Sequence, residues 1–313
     1  MNSRERLWNA ITGKPVDRTP IWLREGFPLI DGPAEAGHFT NGWQADSLYR
    51  QLFQQVAPYA DAIEGWGIPG MNRMLMVPPA FIRREIIEHT QERIVYRTSV
   101  ATAGDELYAI DYHERNVATT WHAKPLVTSL EELRKLAEIP FHVEDEQIQQ
   151  AIDHYHKTRE KTGERGILRL GLSSPIVVIS GCMPFELFLE LSLTERTFFH
   201  RLCEEVTQRI LTLLDAVLNS GVRFETTANL GGSEQCTPPM MRPESFREFV
   251  VPYDSMIVRR LHDAGIPVNM HCHGKVRYAL ECMLDMGIDS TDPVEPPPAG
   301  DVSIQEARQI VGE

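Results

Sequence analysis

From residue 167 onward the chain alternates short apolar runs with longer stretches of helical spacing, and no other feature limits its fold as much. The strand-like runs cover 167–172, 224–229, 267–273 and 288–294. Helical patterns occupy 184–193, 195–220, 243–264, 276–286 and 303–311. Two successive strands separated by about a dozen or more helical residues cannot pair as a hairpin, so the connection must cross over and the strands run parallel. The expectation is an α/β fold on a parallel sheet.

The first half of the chain adds two more strands and an interruption. Residues 3–12 read as a helix capped by Ser3, with Leu7, Trp8 and Ile11 on one face. Residues 19–24 read as a strand, followed by a Gly/Pro-rich loop through Gly42, a helix over 46–56 and a strand over 61–66. The segment 83–124 has a different period. Ile94, Tyr96 and Thr98, then Leu107, Ala109 and Asp111, alternate around Gly104-Asp105, which predicts an antiparallel hairpin insertion. Helical spacing returns at 129–137, where Ser129-Leu130-Glu131-Glu132 spells a capping box, and at 145–161.

The barrel-type strands therefore lie near residues 20, 63, 169, 226, 270 and 291. Closing a (β/α)₈ barrel takes eight. The chain stops at Glu313, just after a helix, so this count predicts a piece of a longer chain that ends before the last two strands. No polar linker interrupts the sequence, and one domain over 1–313 is expected.

Charge and cysteine usage exclude some classes. A net charge of −13 does not suit a phosphate-backbone or anionic membrane partner. Five cysteines, at 182, 203, 236, 272 and 282, are odd in number and irregular in spacing, as reduced thiols in a cytoplasm would be. Residues 1–11 carry charges and no apolar run, and no stretch approaches the length of a membrane span. Phosphate-loop and nucleophile-elbow spellings are absent.

The sharpest chemical signal is Val268-Asn269-Met270-His271-Cys272-His273-Gly274. In a strand, His271 and His273 share one face and Cys272 takes the other. Two imidazoles at the carboxyl end of a parallel strand suit Zn²⁺ or a similar borderline metal, and two hydrogen-bonded histidines without a metal are the plain alternative. Further ligands or acid–base groups are sought among Glu225, Glu234, Cys236 and Glu295. Glu234 lies in the Gly/Pro-rich loop 231–239, and Glu295 is followed by three prolines that stiffen its loop. Arg24, beside Glu25, follows the first strand and suits a carboxylate or phosphate anchor. Trp66 and Asn72 follow the second; Trp66 either walls a pocket or belongs to the core.

Several of these residues also spell a family. Arg4-Glu5-Arg6 with Pro15-Val16-Asp17-Arg18-Thr19-Pro20 and Trp22-Leu23 resembles the opening of the uroporphyrinogen decarboxylase superfamily. Pro243-Glu244, Phe246-Arg247-Glu248-Phe249 and Pro252-Tyr253 resemble the helix after its fourth barrel strand, and the His-x-His-Gly segment and Gly287-Ile288-Asp289 follow in order. The resemblance covers nearly the whole chain and implies a (β/α)₈ TIM barrel with its cleft at the strand carboxyl ends. The porphyrinogen decarboxylases carry an Arg-Gln-Ala-Gly-Arg run and an essential Asp where this chain has Arg24-Glu25-Gly26-Phe27-Pro28 and Glu64-Gly65-Trp66-Gly67.

The chain is more similar to the corrinoid-linked methyltransferase branch, whose zinc site uses His-x-Cys and a later Cys. His271 matches that His and His273 stands in the Cys place. This resemblance implies a metal held by His271, His273 and Glu234, with Glu234 and Glu295 as catalytic carboxylates and Arg24, Trp66, Asn72 and Glu225 around the substrate. It further implies a methyl group moving between methylcobalamin or a related corrinoid, carried by a partner protein, and a small thiol or methoxy substrate. The alternatives are decarboxylation of a small carboxylate or porphyrinogen, anchored by Arg24, and a non-catalytic ligand-binding barrel.

Overall fold

The computed structural model describes residues 1–24 and 27–312. Glu25, half of the expected Arg24-Glu25 pair, lies outside them. The chain divides into two compact units, one of Met1–Glu64, Pro79–Lys135 and Lys157–Leu168, the other of Gly65–Pro78, Leu136–His156 and Arg169–Glu313.

Nine strands are described: β1 (Ala62–Trp66), β2 (Ile82–His89), β3 (Arg93–Thr102), β4 (Asp105–Glu114), β5 (Trp121–Lys124), β6 (Gly166–Ser173), β7 (Thr226–Gly231), β8 (Val268–His271) and β9 (Ser290–Asp292). They form a five-stranded sheet in the order β1-β6-β7-β8-β9 and a four-stranded one in the order β2-β3-β4-β5. In the first sheet each strand neighbours the next in sequence once the insertion is set aside, and β7–β8 and β8–β9 are parallel, as the strand–helix alternation requires. The expected insertion is present and larger than one hairpin, with β2–β3, β3–β4 and β4–β5 all antiparallel.

The first expected strand, 19–24, is not one. Pro20 has no N–H to give a ladder. The segment is tied instead around Asp61, whose backbone N–H donates to Ile21 O at 2.7 Å and whose Oδ2 accepts from Ile21 N–H at 2.9 Å. Asp61 also receives Arg6 Nη1 at 2.6 Å and Arg18 Nη1 at 3.0 Å, and Arg6 forks onto Asp17 at 2.7 and 2.9 Å. The Arg-Glu-Arg and Pro-Val-Asp-Arg spellings of the opening therefore build an ion-pair knot in the first unit.

Local chemistry accounts for the helix ends. Asn2, not Ser3, caps Ser3–Ile11 in a reciprocal box with Glu5. Ser129 Oγ accepts from Glu132 N–H at 3.2 Å at the head of Leu130–Ala137, and Ser303 with Glu306 closes a full capping box on Ile304–Val311. The helix expected over 243–264 is two, Glu244–Phe249 and Val251–Asp263, because Pro252 can sit only in a first helical turn. Among the described residues no helix is long and apolar enough to cross a membrane.

The second unit carries most of the buried apolar side chains. Leu170, Leu172, Ala228, Leu230, Val268 and Met270 on the strands are all under 4% exposed, as are Leu213, Leu214 and Val217 on helix Arg196–Leu218 and Ile257, Val258 and Leu261 on helix Val251–Asp263. Burial of this kind stabilises by about 25 cal/mol per Å² of apolar surface and fixes the strand ends that carry the polar residues.

Candidate active site

The carboxyl ends of β7, β8 and β9 meet in register: Gly231 pairs with His271, and His271 with Asp292. One residue further, Cys272 N–H donates to Asp292 O at 3.0 Å, and Gly232 N–H donates to His271 O at 3.2 Å. The strand assignment stops at His271, so His273 is not held by strand alternation. A turn follows, with Gly274 at φ +88°, a backbone conformation that favours glycine.

The two rings still come together. Their centroids are 4.6 Å apart and their planes nearly perpendicular, at 88°. Each ring is backed by a carboxylate. His271 Nδ1 lies 3.1 Å from Asp292 Oδ2, and His273 Nδ1 lies 3.3 Å from Glu295 Oε1. An ionised carboxylate only accepts, so these bonds put the proton of the neutral ring on Nδ1 and its lone pair on Nε2.

Glu295 is fixed from two sides. Its Oε2 accepts Gly274 N–H at 2.6 Å, and this bond, followed by the His273 contact, holds the carboxyl below its ordinary pKa. The 293–300 loop folds back so closely that a Cβ on Gly300 would stand 1.9 Å from Glu295 O and 3.0 Å from Gly274 O. Only glycine permits that approach, and it clamps the Glu295 backbone beside the His273 turn.

Glu234 sits on the 3₁₀ turn Ser233–Cys236 after β7. Its Oε2 is buried with no hydrogen-bond partner among the described residues, an unsatisfied acceptor that calls for a donor or a cation. Its charge reaches Cys272, whose thiol is raised first by burial and then by Glu234 and Glu295. Burial likewise pushes the Cys236 thiol well up. Both cysteines are buried.

The other expected residues have contacts of their own. Trp66 is a core residue, 3% exposed, stacked on Phe224 at 5.2 Å and donating Nε1–H to Thr226 Oγ1 at 2.9 Å. Asn72 uses both ends of its amide on β6, accepting Ser173 N–H at 2.8 Å and donating to Gly171 O at 3.0 Å, as a strand neighbour would. Glu225 precedes β7, at the opposite end of that strand from Gly231; the strand starts two residues later than its apolar run suggests. Arg24 belongs to the first unit, its guanidinium 5.9 Å from the Trp22 ring.

Asp292 was not singled out by the sequence, although it is the partner of His271. Its partners are 21 and 23 residues away, and only laying 290–292 beside 268–271 in register would have found it.

A divalent cation finds a suitable but partial donor set here. Two imidazoles with carboxylates on Nδ1 match the usual backing of histidine ligands, and the orphaned Glu234 oxygen adds an anionic acceptor. Among the described residues no three His, Cys, Asp or Glu side chains are already assembled around a common point. The set fits an open two-nitrogen grip and not a closed cage, and the expected triad with Glu234 is not preformed.

Comparison with known proteins agrees with this architecture. The uroporphyrinogen decarboxylase family model matches residues 109–313, well over half of the chain. A methyltransferase from Methanosarcina mazei superposes with a TM-score of 0.55 at 15% identity, covering 100% of this chain and 80% of that one. That likeness concerns the fold, and with the family it implies a TIM barrel. A radical SAM methyltransferase from Sphaerobacter thermophilus reaches a TM-score of only 0.24 at 11% identity, over 84% of this chain and 78% of that one, and supports nothing further. No curated protein matches the chain. A family match over residues 109–313, on a β/α sheet whose strand ends carry the polar cluster, makes this chain a member of the uroporphyrinogen decarboxylase family.

Proposed function

We propose that this protein is a metal-dependent methyltransferase, moving a methyl group between a corrinoid carried by a partner protein and a small thiol or methoxy substrate in the cytoplasm. The observation that carries the reading is the pair of rings at His271 and His273, 4.6 Å apart and each backed by a carboxylate. The fold shared with the Methanosarcina mazei methyltransferase supports it.

His271 and His273 would hold the metal, through the nitrogens left to the lone pairs when Asp292 and Glu295 take the Nδ1 protons. A divalent ion there supplies Lewis acidity that favours the anionic form of a thiol or oxygen. Asp292 and Glu295 fix the ring orientations. Glu234 Oε2, buried and without a partner among the described residues, is the acceptor for the proton that a thiol substrate gives up. Imidazole and carboxylate donors are a harder set than one with thiolates and suit a methoxy as well as a thiol substrate.

The test uses free methylcobalamin as a surrogate for the partner-bound corrinoid, with a panel of small thiols, and follows the loss of its methyl–cobalt absorption. The wild type, loaded with zinc, should demethylate it in the presence of at least one thiol, and the His271→Ala/His273→Ala double variant should not. Equal rates in the two proteins would reject the proposal.

A further inference from the structure

On the strands of the second unit, burial alternates residue by residue. Leu170, Leu172, Leu230 and Met270 are at most 3% exposed. Gly171, Ser173, Asn229, Gly231 and Asn269 are half-buried, on the face that also carries His271. The inward positions of a β/α barrel are ordinarily filled by bulky branched side chains. Here that face carries glycines and amides, with the pair Asn229 and Asn269 two residues before the pair Gly231 and His271.

The backbone does not call for these glycines. Neither Gly171 nor Gly231 has a positive φ. A Cβ on Gly171 would meet Trp66 O at 3.7 Å, and one on Gly231 would meet Asn229 Nδ2 at 3.6 Å and Leu172 O at 3.7 Å, all ordinary contacts. A glycine inside a strand marks a bulge, a bend, or the close approach of another backbone or a ligand. The β7–β8 register runs through Gly231 without a shift, and no backbone comes closer than those contacts. Of the four, the approach of a ligand is what remains for Gly231.

Asn229 offers a polar contact at the same place. One end of its amide is taken by Asn269 at 2.8 Å. The other end bonds to no described residue and stands 3.6 Å from the position of a Gly231 Cβ, beside the residue paired with His271. A hydroxyl both donates and accepts, so it can pair with that end whichever amide atom faces it.

We infer that this face is the floor of the substrate site. Gly171 and Gly231 leave it open beside the imidazoles, and Asn229 is a specificity-determining residue that hydrogen-bonds a hydroxyl on the substrate. The inference rests on the proposed role of His271 and His273, and it narrows the substrate to a small thiol or methoxy compound that carries a hydroxyl besides the reacting group.

The test uses cobalt(II) as a coloured stand-in for zinc and two pairs of thiols matched in length, mercaptoethanol with propanethiol and mercaptopropanol with butanethiol. Binding is read from the sulfur-to-cobalt charge-transfer absorption. The preference for the hydroxylated thiol should fall about 3- to 10-fold from the wild type to Asn229→Ala in at least one pair, the usual worth of one hydrogen bond, with cobalt still bound. Unchanged ratios in both pairs overturn the inference. A second measurement needs no metal. All five native cysteines are buried, so iodoacetamide should modify the folded wild type little and Gly231→Cys rapidly. A Gly231→Cys thiol as slow as the native five means that the face is closed, and overturns the inference whether or not metal binds. A wild type that binds no cobalt ends the functional proposal, and the open floor is then decided by Gly231→Cys alone.

Discussion

Asp61→Ala is expected to lower the stability of the protein by about 3–5 kcal/mol, the usual cost of removing one partner from a buried ion pair. The Asp61 side chain is 0% exposed and that of Arg6 8%, so the guanidinium has little water to fall back on when its 2.6 Å partner is deleted. The same substitution strips acceptors from Arg18 Nη1 and Ile21 N–H. Burial acts to raise the Asp61 pKa, yet the Ile21 N–H, Ser3, Arg6 and Arg18 outweigh it and the net shift is downward. The contribution is therefore present above the unfolded carboxylate pKa and is lost as pH falls through the lower folded value. Urea unfolding at neutral pH should show an earlier midpoint with an unchanged slope, and Asp61→Asn, which keeps an acceptor, should lose less. A loss under about 1 kcal/mol for the Ala variant would mean that water satisfies Arg6 in the folded state.

Asp254 carries the opposite sign. It lies on helix Val251–Asp263, fully buried, with Oδ1 accepting from Ser174 Oγ at 2.9 Å and Oδ2 without a partner among the described residues. Burial pushes its carboxyl up to about 8, opposed by the Ser174 bond. The unfolded chain therefore ionises this group near pH 4, while the folded chain keeps its proton until near 8. Between those limits unfolding releases a proton, so stability falls as pH rises, by at most about 1.4 kcal/mol per unit, and levels off above.

Asp254→Asn keeps an acceptor for Ser174 and removes the titration. The stability difference between variant and wild type should shift in favour of the variant by several kcal/mol from about pH 4 to about pH 8. The check is urea unfolding of both proteins across that range. A constant difference would show that the carboxyl is ionised and solvated in the folded state.

The order and kind of most elements were legible in the sequence because period and punctuation agreed. Residues 267–273 and 288–294 were bounded by Gly, Pro and helix-forming runs, and the strands fall inside them. Legibility failed where tertiary partners decide. The 19–24 segment has the apolar content of a strand, but Pro20 and the pull of Asp61 leave it outside the ladders. The helix Pro175–Ser180 was hidden because Ile176, Val177, Val178 and Ile179 form an all-apolar β-branched run that reads equally well as strand.

The site shows the same division. The His271 and His273 pairing could be anticipated from spacing alone, even though a glycine turn and not strand alternation delivers His273. Asp292 could not, because its role depends on the register of β8 against β9. Trp66 and Asn72 follow a barrel-type strand, as substrate contacts often do, but their polar atoms are used by Thr226 and by the end of β6. Position along a strand told where these residues stand, not which hydrogen bonds they had already made.

Metal-dependent methyl transfer at this site requires that His271 and His273 grip an ion. The direct measurement is metal content, by plasma mass spectrometry, of the wild type and the His271→Ala/His273→Ala variant after equilibration with zinc and gel filtration. Close to one ion per wild-type chain and almost none in the variant are expected. Equal metal in the two proteins would contradict metal binding by this pair.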